Sequence, residues 1–158
     1  MRFSTEALTY RLATKHDAEL YFGWANEPSV RRNSHLSDPI KWEDHESWFV
    51  EHLNSRSLML IFFYGDVPVG QIRADIEGSK ALLDLSVDKE YRGKNIGTVM
   101  LITTTNLIQK VRTVLTMEGI VKSENTASVK AFEHSGFTLQ TSMDINGVKC
   151  HKFEYHFK

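Results

Sequence analysis

Apolar residues recur along this chain with two periods. "ALTYRLAT", residues 7–14, alternates apolar and polar positions, as a half-covered strand does. From Asp17 to Asn26 the spacing lengthens, and Leu20, Tyr21 and Trp24 fall on one side of a predicted helix. Residues 26–40, "NEPSVRRNSHLSDPI", carry two prolines and polar punctuation and read as a loop with at most a helical turn. "KWEDHESWFVEHLN", residues 41–54, is amphipathic, with Trp42, Trp48, Phe49 and Leu53 near helical spacing. Three strands follow: residues 57–63, Val67 to Ile76 and Leu82 to Val87, separated by Gly65-Asp66 and "EGSK". In the third, Leu83, Leu85 and Val87 alternate against Asp84 and Ser86. Met100, Leu101, Leu107, Ile108 and Val111 share a face of the next helix, and residues 115–121 make another strand. Asn125 suits the N-cap of a helix from Thr126 to Ser135, and Gly136 suits its left-handed stop. Asn146-Gly147 joins residues 138–145 to 148–157 as a hairpin. The order is strand, two helices, three strands, helix, strand, helix, hairpin.

Composition narrows the class. With 158 residues, 41% hydrophobic and 25% charged, the chain has the make-up of one globular domain with its own core. Lys plus Arg is 19 against 20 for Asp plus Glu, which argues against a broad electrostatic grip on nucleic acid. Cys150 is the only cysteine, and no Cys/His cluster has metal-ligand spacing. His45 and His52 lie seven apart without a second ligand pair, so no metal is expected. The longest apolar run, "LMLIFFY" at residues 58–64, is far short of a membrane span. "MRFSTEALTYR" has no signal-peptide core, so a cytoplasmic protein is expected, as monomer or homodimer.

The chemistry concentrates in "YRGKNIGT", residues 91–98, between a strand and a helix. Such a turn exposes unpaired backbone N–H groups at the positive end of the helix dipole. Gly93 and Gly97 allow close approach of a ligand, and Arg92 and Lys94 add charge. A diphosphate suits that site, although an ordinary β-turn with solvated cations fits the turn taken alone. It is neither a Walker A loop nor GxGxxG.

"LDLSVDKEYRGKNIGTVML", residues 83–101, resembles the acetyl-coenzyme A motif of the GCN5-related N-acetyltransferase (GNAT) superfamily. That motif reads Arg/Gln-x-x-Gly-x-Gly/Ala after a strand ending in valine. Arg92, Ile96, Gly97 and Val87 match, and Asn95 stands where the family has glycine. "ENTASVKAFEHSGF", residues 124–137, resembles the family's Asn-x-x-Ser…Gly-Phe segment. The resemblance implies one domain over residues 1–158: a mixed α/β fold with a mostly antiparallel sheet of about seven strands, splayed in the middle and flanked by about four helices. Acetyl-coenzyme A would lie with its pantetheine arm beside Leu85, Ser86 and Val87. Its diphosphate would meet Arg92, Gly93, Lys94, Asn95, Ile96, Gly97 and Thr98, with Asn125, Ser128 and Phe132 alongside.

The family passes acetyl from a thioester to an amine, which must lose a proton before it attacks. The resemblance implies the Val87 N–H as oxyanion donor. Asp84, Glu118 and His45 are the candidate bases, each also readable as a solvated surface group. Phe132 stands where many members have a proton-donating tyrosine, which leaves Ser128, water or unaided departure of the thiolate. "WANEPSVRRNSHLSDPIKWEDHESWF", residues 24–49, is similar to a subgroup that acetylates nucleotide-linked amino sugars, the pseudaminic-acid type. Trp24, Asn26, Val30, Arg31, His45, Trp48 and Phe49 carry that similarity. Arg31 and Arg32 suit a diphosphate, and Asn26, Asn33, Ser34 and His35 suit sugar hydroxyls. Trp24 and Trp48 suit a ring, although Trp48 and Phe49 also sit at core spacing. A small-molecule amine acceptor, most simply a UDP-linked amino sugar, is therefore expected, with no nucleic-acid or membrane partner. The same half also resembles the ribosomal-protein N-terminal type, and a coenzyme A-binding domain without turnover remains an alternative.

Overall fold

Seven strands form one sheet in the computed structural model, which describes residues 3–32 and 38–158. They are β1 (Leu8–Leu12), β2 (Leu58–Tyr64), β3 (Val67–Glu77), β4 (Lys80–Val87), β5 (Thr116–Lys122), β6 (Thr138–Ile145) and β7 (Val148–His156). Their spatial order is β1-β2-β3-β4-β5-β7-β6, and only β4 and β5 run parallel. The helices among the described residues are α1 (Ala18–Ala25), α2 (Pro28–Arg32), α3 (Trp42–Leu53), α4 (Ile96–Ile108) and α5 (Thr126–His134).

The apolar run at residues 58–64 is explained by cover on both faces of the sheet. Leu60 and Phe62 enter one core with Met100, Leu101 and Ile108 of α4 and Phe132 of α5. Met59 and Ile61 enter a second core on the other face, with Tyr21, Trp24 and Phe49 of α1 and α3. Phe49 is fully buried, which stabilises the α3 docking by about 1.5–3 kcal/mol.

The described residues hold five α-helices where about four are expected; residues 28–32 form a short helix in the segment that reads as a loop with at most a helical turn. Proline fits its first position, and the Glu27 carbonyl accepts from both Val30 N–H (2.9 Å) and Arg31 N–H (3.1 Å). The Asn146-Gly147 turn has both residues at positive φ, as a tight hairpin requires.

The sheet opens in the middle. β4 pairs with β5 only from Lys80↔Thr116 to Leu83↔Gly119. Beyond that point β4 stays with β3 as far as Val87, and β5 stays with β7 as far as Lys122. The edge of β4 from Asp84 to Val87 that faced β5 is thus unpaired by its neighbour, and a gap opens at the C-terminal ends of both strands.

Candidate active site

A cavity of about 1010 Å³ runs through that gap from the start of α4 to the wall formed by α1, α2 and α3. The sheet, the start of α4 and α5 line one half of it; α1, α2 and α3 line the other.

At the α4 end, Gly93 and Asn95 both hold left-handed backbones, φ +79° and +64°. Glycine does so freely, and asparagine is the side chain that tolerates it best. The first helical bond runs from Val99 N–H to the Asn95 carbonyl (3.2 Å). The N–H groups of Ile96, Gly97 and Thr98 therefore lie ahead of the helical ladder, at its positive end. Ile96, Gly97 and Thr98 line the cavity with Gly93 and Asn95. On the facing side, Asn125 accepts from Ser128 N–H (3.4 Å), which caps α5, and both residues line the cavity. Lys130 and His134, one turn apart on α5, add positions the sequence reading missed. This set of amide donors fits a diphosphate, and the open edge of β4 fits an extended amide-bearing arm.

Two residues of that set behave differently from expectation. Lys94 does not line the cavity; its ammonium sits 5.7 Å from the centre of the Phe3 ring. Arg92 lines the cavity, but its guanidinium is engaged by the protein: Nε donates to the Val87 carbonyl (3.1 Å), Nη1 to Ser29 Oγ (2.6 Å) and Nη2 to Glu27 Oε2 (3.0 Å).

The inner wall is Phe132, stacked on Phe153 and edge-on to Phe137. It is almost wholly buried, and its ring lies against Gly119, the last β5 residue paired to β4.

The candidate bases separate clearly. Asp84 lines the cavity, opposite Arg73, whose Nη1 lies 3.6 Å from Asp84 Oδ2. Glu118 does not line it. Its side chain sits where the strands still pair and is held by Lys80 (2.8 Å) and Lys152 (3.5 Å). Burial would raise its carboxyl pKa, but the two ammonium groups outweigh that and hold it below the usual range. A carboxylate so stabilised and so placed is a poor base for this cavity. His45 lines the cavity and is buried, and its Nε2 lies 2.8 Å from the Ala18 carbonyl, so that nitrogen donates. Burial lowers its pKa, against a smaller opposing effect of that bond. Nε2 is therefore occupied in joining α3 to α1.

Of the acceptor candidates, Trp24, Arg31 and Trp48 line the cavity, while Asn26 and Arg32 do not. Asn26 braces the loop instead: its side chain donates to the Ile40 carbonyl (2.9 Å) and accepts from Ile40 N–H (2.7 Å). The Arg32 carbonyl accepts from Lys122 Nζ. Asn33, Ser34 and His35 lie outside the described residues. Trp24 also donates from Nε1 to Asp88 Oδ2 (2.9 Å). Trp48 carries the Arg73 guanidinium over its ring at 4.9 Å. Sequence reasoning missed Arg73 and Gln71, which line the same wall. The signal was the polar alternation Gln71, Arg73, Asp75 along β3. Gln71 donates from Nε2 to Ser86 Oγ (3.2 Å), and its Oε1 is buried without a partner among the described residues.

The family profile for the acetyltransferase (GNAT) domain matches residues 7–138. Among solved structures, the fold is similar to AAC(6')-Ib in complex with ribostamycin and coenzyme A, with TM-score 0.81 and 15% identity over 95% of this chain and 93% of that one. It is similar to spermidine N-acetyltransferase from Vibrio cholerae in complex with CoA and spermine, with TM-score 0.83 and 14% identity over 96% of each chain. RimL, a ribosomal L7/L12 alpha-N-protein acetyltransferase in complex with coenzyme A, gives TM-score 0.81 and 15% identity over 97% of this chain and 95% of that one. No curated protein matches the sequence significantly.

Proposed function

Given that the chain belongs to the GNAT acetyltransferase family and is an acetyl-CoA-dependent N-acetyltransferase, we propose that its acceptor is the primary amine of a nucleotide-linked amino sugar. The observation that carries this reading is the pairing of cations with a carboxylate on one wall. Arg31 and Arg73 line the cavity together with Asp84. Burial pushes the Arg31 pKa down and Asp84 partly offsets it. Arg31 is braced by the Ala25 carbonyl (Nε, 2.7 Å) and the Asp38 carbonyl (Nη1, 3.4 Å), and with Arg73 it lends the wall a positive charge that a diphosphate complements, while Asp84 complements an amine. Trp48, partly exposed, lines the same cavity and suits a sugar or base ring, whereas Trp24 is buried in the core beside it.

Bound acetyl-CoA supplies an acetyl group activated as a thioester. The N–H groups of Ile96, Gly97 and Thr98 would hold its diphosphate, and the open edge of β4 at Leu85, Ser86 and Val87 would hold its arm. Asp84 would take the proton of the acceptor amine and the Val87 N–H would stabilise the oxyanion, with coenzyme A leaving as its thiolate. His45 positions α3 against α1 rather than moving a proton.

Arg31→Ala tests the reading. It should raise the acceptor KM at least tenfold and leave the acetyl-CoA KM unchanged, because a contact remote from the reacting atoms is lost. An equal rise in both constants refutes it. A peptide N-terminus is the second reading, favoured by Asp44, which lines the wall with Asp84 and could hold an ammonium.

A further inference from the structure

The three bonds of Arg92 join two parts of the enzyme that the sequence keeps far apart. Its residue opens the diphosphate loop, yet its guanidinium grips the α1–α2 junction through Glu27 and Ser29 and the end of β4 through the Val87 carbonyl. The Ser29 hydroxyl also donates to Glu27 Oε2, which closes a triangle. Burial would raise the Glu27 carboxyl, but Ser29 and Arg92 outweigh it and hold it at about 2. Glu27 in turn starts α2, since its carbonyl accepts from the N–H groups of Val30 and Arg31. A second link runs in parallel. Trp24 donates to Asp88, and the Asp88 N–H donates to the Val69 carbonyl (2.7 Å). Arg92, Trp24 and Val30 also line a smaller groove of about 530 Å³ on the far side, so they form a partition between two openings.

An exposed ion pair of this kind adds little to stability. Three directed bonds from one planar group do fix orientation, and a lysine cannot reproduce them. We propose that Arg92, Glu27 and Ser29 are a joint that lets the state of the diphosphate loop set the acceptor wall. Ordering of residues 92–98 fixes Arg92, and through Glu27 and Ser29 fixes α2 with Arg31. The three are positioning residues for the acceptor. The inference rests on the cofactor reading of the loop and not on which amine is acetylated.

Hydrogen exchange with coenzyme A as the probe tests it. The Val30 and Arg31 amides report on the joint, because both bond to Glu27. In the wild-type enzyme saturating coenzyme A should slow their exchange at least tenfold, together with that of Ile96, Gly97 and Thr98. In Glu27→Gln and in Arg92→Lys the protection at residues 96–98 should persist, while that at Val30 and Arg31 falls below twofold. Equal protection of Val30 and Arg31 in wild type and Glu27→Gln, or none in wild type, overturns the joint. Loss of protection at residues 96–98 in wild type overturns the cofactor reading as well.

Discussion

The ring tip of Phe132 rests on the backbone of Gly119, where a Cβ would lie only 2.3 Å from Cζ. Gly119 is the last β5 residue that pairs with β4, so the ring sits at the point where the strands part. A hydroxyl on that tip would point into the β5 backbone. Phe132→Tyr should therefore lower stability by about 1–3 kcal/mol, as overpacking does, without raising kcat. Denaturant melts and steady-state rates check this. A gain in kcat with a new fall at alkaline pH would show that a tyrosine can donate its proton to the leaving thiolate.

His45 should make stability fall as pH drops from 7 to 5. Burial depresses its folded pKa below the ordinary imidazole value of about 6.5, so the folded imidazole stays neutral where the unfolded one takes a proton. Its contribution is full above about 6.5 and is lost as pH falls from there through the folded value. The lowered carboxyls of Asp17 and Glu118 act only further down, below about 4. One proton limits the slope to about 1.4 kcal/mol per pH unit. His45→Gln should flatten the curve of Tm against pH in this window, and an unchanged slope would contradict the assignment.

Gln71 Oε1, buried without a partner among the described residues, is a cost that the fold carries at the wall of the cavity. A buried acceptor without a partner costs about 1–3 kcal/mol. Gln71→Met keeps the volume and removes the orphan, so it should leave Tm unchanged or higher while raising the acceptor KM. A fall in Tm of several degrees would show that the Ser86 contact matters more than the unpaired oxygen.

Asn95 takes a left-handed backbone and makes no capping bond with its side chain. Asn95→Gly should keep the acetyl-CoA Kd within about threefold, since glycine reaches that conformation without strain. Calorimetric titration checks it, and a tenfold loss would mean that the side chain itself holds the ligand.

Local signals were readable where periodicity and turn chemistry decide the outcome. The opening of the sheet was expected from the family resemblance, and the hairpin follows from Asn146-Gly147. Pairings across the fold were not readable. Asn26 looks like a sugar ligand by its polarity, yet its amide braces Ile40, fourteen residues on. Glu118 sits on the expected strand, but Lys80 and Lys152 hold it, and no spacing announces them. Arg92 finds Ser29 and Glu27 63 and 65 residues away. The α2 helix was hidden because Pro28–Arg32 has no apolar stripe to betray its period.

Release of free thiol from acetyl-CoA, with one amine supplied at a time, tests the central claim most directly. A UDP-linked 4-amino-4,6-dideoxy sugar should drive release, and serine- or alanine-terminated peptides and spermine should drive it at least tenfold less well in kcat/KM. Turnover of a peptide with none for the nucleotide sugar would contradict the account and put the acceptor among protein N-termini.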